Sequence, residues 1–143
     1  MGTPEFAVPT LDILNKNYNV IGVFTQPPRP SGRGMKKIKS LIQQYSEKNK
    51  LNFYTPNNLK NDETLRLLKS LNPDLIVVVA YGLLIPEVIL KIPSYGCING
   101  HASLLPKWRG AAPIQRAIEA GDTKTGCTSM LMEKGLDTGP MIH

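Results

Sequence analysis

Asn99 and His101 stand two residues apart at the end of a short apolar run, and Asp137 lies far downstream in a turn bracketed by Gly135 and Gly139. In an extended strand a spacing of two puts both side chains on one face, so an amide and an imidazole would share a pocket. A carboxylate in a glycine-bracketed loop can fold back to orient that imidazole or a water. Together these are the parts needed to stabilise a tetrahedral oxyanion and to move a proton from an attacking amine. Each is weak alone: a histidine in a strand-end loop is more often structural, asparagine commonly ends strands and forms turns, and Asp137 suits a turn. Ser103 follows His101 by two positions, but no GxSxG elbow surrounds it. Direct transfer between two bound substrates therefore suits the set better than a covalent intermediate.

The elements that must position these groups alternate along the chain. Met1 to Pro4 predicts a turn into a helix, regular from about Pro9, because proline is tolerated in a first turn and costs on the order of 3 kcal/mol further in. Leu11 and Leu14 then face the core. Val20–Thr25 predicts a strand, Ile38–Lys48 a helix with Leu41, Ile42 and Tyr45 at helical spacing, and Leu51–Tyr54 a short strand. Asp62–Leu71 predicts a second amphipathic helix, capped by Asn61 or Asp62 and stopped by Pro73. Leu75–Val79 is apolar at every position, as in a central parallel strand covered on both faces. A loop over Gly82–Pro86, a short helix over Pro86–Leu90, a strand over Gly96–Asn99, a helix over Ala112–Ala120 ended by Gly121 and a strand over Thr125–Met132 complete the chain. This alternation predicts an α/β fold with a doubly wound, mostly parallel, Rossmann-like sheet. Ligands in such sheets bind beyond the carboxyl ends of the strands, here the loops after Thr25, Ala80 and Asn99. Neither GxGxxG nor GxxxxGK[ST] occurs.

A length of 143 residues suits one domain. The longest nearly unbroken apolar run, Leu75–Ile85, is shorter than the roughly 18 residues a membrane helix needs, and no secretory signal is visible, so a soluble, non-membrane protein is expected. Cys97 and Cys127 lie in apolar, strand-like surroundings that suit small buried hydrophobes, which fits a reduced, cytoplasmic protein. With His101 and His143 as the other soft ligands and no paired spacing, no metal is expected. Seventeen Lys and Arg against eleven Asp and Glu give a net charge of +6, which favours anionic partners. Arg29, Arg33, Lys36, Lys37 and Lys39 crowd into a stretch that also holds Pro27, Pro28, Pro30, Gly32 and Gly34, the composition of a mobile basic loop.

The run from Asn99, NGHASLLPKWRGAAPIQRAI, with GLDTG at 135–139, VVVAYGLLIP at 77–86, GTPEFA at 2–7 and FTQPPRPSGRG at 24–34, resembles the methionyl-tRNA formyltransferases along essentially the whole chain. The resemblance implies transfer of a formyl group from 10-formyltetrahydrofolate to the amino group of initiator methionyl-tRNA, in the cytoplasm and by a monomer. It makes Asn99, His101 and Asp137 the catalytic set. His101 would accept the proton of the attacking amine and help hold the oxyanion, Asn99 would donate to the former formyl oxygen, and Asp137 would orient His101. Ser103, Leu104, Leu105 and Pro106 would shape the folate cleft, and main-chain groups of Leu83, Leu84 and Ile85 would meet the pterin edge. Arg29, Arg33, Lys36 and Lys37 would contact tRNA, with Arg33 foremost, and Phe6 would lie near the methionyl side chain.

Two departures from that pattern shape the expectation. The family's first strand, which runs directly into GTPEF and occupies mid-sheet, is missing in front of Met1, so the strands beside it would lose ladder partners. The C-terminal tRNA-binding β-barrel is missing too, so residues 1–143 read as a partial catalytic domain. Gly100 replaces a more usual β-branched residue and is expected to loosen the strand between Asn99 and His101. The alternatives are a folate-dependent formyltransferase acting on a sugar nucleotide or purine precursor, which would not need the basic loop, and an inactive folate-binding fragment.

Overall fold

The computed structural model describes residues 1–31 and 36–142. A 3-10 turn over Glu5–Ala7 leads into helix α1 (Val8–Asn17), with Pro9 in its first turn where no donor is lost. Leu11 is buried beside Ala7, Val23, Ile42 and Val79. Strand β1 (Val23–Phe24) is followed by β2 (Arg29–Ser31), β3 (Lys36–Ile38), α2 (Leu41–Lys48) and β4 (Phe53–Tyr54). Next come α3 (Asp62–Leu71), β5 (Ile76–Val78), α4 (Glu87–Leu90), β6 (Cys97–His101), α5 (Pro113–Glu119) and β7 (Thr128–Leu131).

Local signals set the helices. Asn61 caps α3 by accepting from Thr64 N at 2.7 Å, Asp62 and Glu63 favour its positive end, and Asn72 closes it in the left-handed conformation ahead of Pro73. Leu68 is buried, with Leu65 and Leu71 half-buried against Ile76, Val78 and Ile89. Helix α2 begins at Leu41 rather than Ile38, because Ser40 accepts from Gln43 N at 3.0 Å and the residues before it are drawn into β3.

The strands pair less uniformly than alternation predicts. β1 pairs β4 in parallel and β5 pairs β6 in parallel, but β7 runs antiparallel to β6. The chain after α5 brings β7 back along β6, with Asn99 opposite Met130 and His101 opposite Thr128. The basic stretch is also corrected in part. Arg29, Lys36 and Lys37 lie not on a loop but on an antiparallel ribbon, Arg29 opposite Ile38 and Pro30 opposite Lys37, an edge position where a proline's missing donor is tolerated. Arg33 lies outside the described residues.

Among the described residues, Met1 and Gly2 lie between β1 and β5. Gly2 N donates to Phe24 O at 3.0 Å, Val79 N donates to Met1 O at 2.9 Å, and the Met1 amine donates to Val77 O at 2.6 Å. Below this short wedge a groove of about 520 Å³ runs between Val20–Phe24 and Leu75–Val77, floored by Leu11, Leu14, Leu68 and Leu71. β1 and β5 belong to separate sheets, with Gly2 bridging to Val79 in parallel. Within the strand predicted over Val20–Thr25, Val23–Phe24 is regular.

Cys97 is buried, as expected, and burial pushes its thiol up to about 11. Cys127 is exposed instead, because it precedes the first paired residue of β7. Among the described residues, no helix is long and apolar enough to cross a membrane.

Candidate active site

Strand β6 carries Asn99 and His101 to its carboxyl end, held between β5 and β7. Gly100 does not loosen it: the residue keeps its place in the ladder opposite Ser129. A Cβ at Gly100 would lie 3.2 Å from Val79 Cγ2, so the glycine admits a close approach of the neighbouring valine.

Asp137 reaches back to this strand end from a turn in which its own φ is +51°. Its Oδ1 accepts from Asn99 Nδ2 at 3.3 Å and its Oδ2 from Gly110 N at 2.8 Å. The same Oδ2 lies 3.5 Å from His101 Nδ1. The amide, imidazole and carboxylate singled out from the sequence thus meet around one carboxylate, with His101 only 6% exposed. Because an amide nitrogen has two N–H donors, Asn99 keeps one for another acceptor while holding Asp137.

The opposite side of the imidazole holds a partner that sequence reasoning missed. His101 Nε2 lies 2.8 Å from the Trp108 carbonyl. The carbonyl and the Asp137 carboxylate can both only accept, and the carbonyl is the closer, at 2.8 Å against 3.5 Å, so in a neutral ring this geometry favours the proton on Nε2 and the lone pair on Nδ1. A proton arriving at Nδ1 lands beside the Asp137 carboxylate, where the ring's positive charge is compensated. In the sequence, Trp108 belongs to the WRG run at 108–110, which by itself marks no contact with His101.

Around this centre the loop 103–108 is tied down. Ser103 is fully buried and its hydroxyl donates to Lys107 O at 2.7 Å, so it serves structure rather than nucleophilic attack. Thr128 Oγ1 donates to Ser103 O at 2.8 Å and accepts from Leu105 N at 3.1 Å. Leu104 is 50% exposed, and Leu105 and Pro106 continue the loop through a cis peptide bond. Of the loop after β5, Ile85 is core, Leu83 is half-buried against that core, and Leu84 is exposed. Among the described residues, the peptide groups of Leu83, Leu84 and Ile85 make no backbone hydrogen bond, so they are free to meet the polar edge of a ring. Phe6 is partly exposed on the 3-10 turn. Arg29 is bonded to Gln26 Oε1, whose Nε2 donates to Tyr81 O at 2.9 Å, while Lys37 is exposed. The groove of about 520 Å³ is lined by none of these residues. Among the described residues, no group of three or more His, Cys, Asp or Glu is placed to hold a metal ion.

The turn that delivers Asp137 depends on Gly139, where a Cβ would collide with the Leu131 carbonyl oxygen of β7. Gly139→Ala is expected to lower stability by about 1–3 kcal/mol, the usual cost of overpacking, because the obstacle is backbone and cannot rotate away. Urea unfolding with an unchanged midpoint would contradict this.

Solved structures share this arrangement of elements. Phosphoribosylglycinamide formyltransferase from Streptococcus pneumoniae TIGR4 superposes with a TM-score of 0.78 at 19% identity, over 99% of this chain and 76% of that one. A formyltetrahydrofolate deformylase from Pseudomonas syringae pv. tomato superposes with a TM-score of 0.71 at 22% identity, over 99% of this chain and 47% of that one. The class is therefore the α/β formyltransferase fold. Residues 1–143 match the formyl transferase family throughout, and the chain belongs to it. Methionyl-tRNA formyltransferases from Pseudomonas entomophila and from Magnetococcus marinus are each 55% identical over 142 residues, 99% of this chain. The chain spans 46% of the length of each of these relatives.

Proposed function

We propose that the protein transfers a formyl group from 10-formyltetrahydrofolate to the amino group of initiator methionyl-tRNA, in the cytoplasm. The observation that carries this reading is the convergence of Asn99, His101 and Asp137 at the end of β6, in a chain 55% identical to proteins named for that reaction. The amine attacks the formyl carbon, and the carbonyl oxygen becomes an oxyanion. Asn99 offers its second N–H to that oxygen, in a site where fixed dipoles need no reorganisation. His101 takes the amine's proton at Nδ1 and returns it to the departing folate nitrogen, while Asp137 compensates the charge on the ring. The free peptide groups of Leu83, Leu84 and Ile85 hold the pterin edge, and Ser103 to Pro106 form the facing wall of the cleft.

Phe6 is assigned to the methionyl side chain, which an exposed aromatic ring suits. Arg29, Lys36 and Lys37, on the β2–β3 ribbon, and Arg33 beside them in sequence are assigned to tRNA phosphates, because a cluster of basic residues is an electrostatic footprint for a polyanion. In this reading the protein works as a monomer without a metal, residues 1–143 are part of a doubly wound catalytic domain, and a separate barrel domain completes tRNA binding.

Acceptor choice tests the reading. Formylation of methionyl-tRNA with no formylation of glycinamide ribonucleotide or an amino-sugar nucleotide is the expected result; transfer to either small acceptor, or to none, overturns it. Arg33→Ala is expected to raise the tRNA concentration needed for half-maximal rate, more steeply at high salt, and to leave folate affinity unchanged. An equal loss in folate affinity would remove Arg33 from the tRNA side.

A further inference from the structure

Asp122 lies just beyond α5 and is bonded toward the candidate active site. Gly121 turns the chain there with φ +68°, and Asp122 N donates to Ala117 O at 2.9 Å, so the helix end fixes the backbone of Asp122. Its carboxylate is shared: Oδ2 accepts from the Trp108 indole Nε1 at 2.6 Å, and Oδ1 from Lys107 Nζ at 2.8 Å. The Lys107 ammonium also lies 5.9 Å from the Trp108 ring centroid. These hydrogen bonds, with that from Lys107 the larger cause, hold the carboxyl below its usual range, so it is an anion at neutral pH and a strong acceptor for the indole.

Trp108 is the link. Its φ is +64°, a conformation that a bulky residue keeps only where its surroundings over-determine it. The residue before it is pinned through its carbonyl by Ser103 Oγ at 2.7 Å. The indole is pinned by Asp122, and the Trp108 carbonyl then faces His101 Nε2 at 2.8 Å. We propose that Asp122 is a positioning residue for the formyl transfer assigned above: by holding the Trp108 indole it fixes the main-chain carbonyl that keeps the His101 proton on Nε2 and its lone pair on Nδ1. The proposal rests on that functional reading only for its consequence in turnover.

Without the indole bond, Trp108 relaxes from its left-handed conformation and its carbonyl turns away. The neutral imidazole then gains more by donating from Nδ1 to the Asp137 carboxylate, which moves the lone pair to Nε2 and removes the base from the position facing Asp137.

Long-range 1H–15N spectra of the protein labelled at histidine read the tautomer directly, and a His143→Gln variant separates the signals of the two histidines. The Nε2-protonated ring is expected in the unaltered protein. Asp122→Ala and Trp108→Phe are each expected to shift His101 toward the Nδ1-protonated form and to lower kcat by up to about 10²-fold, with KM for the formyl donor unchanged. Asp122→Asn keeps an acceptor for the indole and is expected to keep the original tautomer. A folded Trp108→Phe or Asp122→Ala protein with the original tautomer overturns the proposal. So does loss of that tautomer in Asp122→Asn, which would make charge rather than the indole hydrogen bond the cause. If Asp122→Ala does not fold, Trp108→Phe decides. The tautomer is read without turnover, so failure of the formyl-transfer reading leaves this result standing and is distinguished from it.

Discussion

Replacing His101 with alanine is expected to slow the proposed formyl transfer by about 10²- to 10⁴-fold, the range for a positioned general acid–base. The size follows from how few groups can substitute for it. His101 is buried to 6% exposure, with Asp137 Oδ2 at 3.5 Å on one side and the Trp108 carbonyl at 2.8 Å on the other. Alanine leaves that carbonyl and carboxylate facing each other with no proton carrier between them. Asn99→Ala is expected to cost about 10²- to 10³-fold, as for one oxyanion donor, and it also frees Asp137 Oδ1. Because the Asn99 amide and the His101 imidazole both meet the Asp137 carboxylate, the double replacement should cost less than the product of the two single losses. Single-turnover formylation with a labelled donor measures each value. A His101→Ala protein within a factor of about three of the parent rate would remove His101 from the catalytic set, since that falls far below the general acid–base range.

The second large effect applies to a polypeptide prepared as residues 1–143 with a free amine at Met1. Burial lowers its N-terminal amine from 8.0 to about 5, a cost that the proximity of Cys97 offsets only slightly. The folded chain therefore holds this amine neutral over a range in which the unfolded chain protonates it. Between those two values the unfolded state binds more protons, so stability rises with pH through the window. A shift of this size corresponds to about 4 kcal/mol across it. Above the unfolded value both states are neutral and the cost vanishes; below the folded value both are charged and the cost is complete. Asp12, Glu47, Glu87 and Asp122 all have lowered pKa values from their lysine and hydrogen-bond partners. Their contributions are lost only as pH falls through the carboxylate range, below most of this window. Urea midpoints should climb from pH 5 to pH 8 with an unchanged slope, and acetylation of the amine should flatten the curve. A flat profile in the unmodified chain would show that the Met1 amine is not buried between β1 and β5.

Features written in neighbouring residues could be read from the sequence. Asn61, Pro73 and the spacing of Leu65, Leu68 and Leu71 define α3, because capping and helical period act within a few residues. Pro9 marks the first turn of α1 for the same reason. Asn99 and His101 share a face because strand period is two and requires no knowledge of neighbours, and Asp137 stands out as a carboxylate in a turn bracketed by Gly135 and Gly139, which the resemblance carried by GLDTG reinforces.

Pairing across the chain was decided elsewhere. The antiparallel course of β7, the ribbon that takes up Arg29, Lys36 and Lys37, and the exposure of Cys127 all depend on which distant backbone completes each ladder. Within the site, the residue types at 99, 101 and 137 were set by sequence, whereas the partner of each imidazole nitrogen was set by tertiary structure. The Trp108 carbonyl is a main-chain group that every residue possesses, so nothing in its side chain marks it. The left-handed turn at Trp108, whose indole is bonded to Asp122, brings that carbonyl within 2.8 Å of His101 Nε2, a contact that only the folded chain creates.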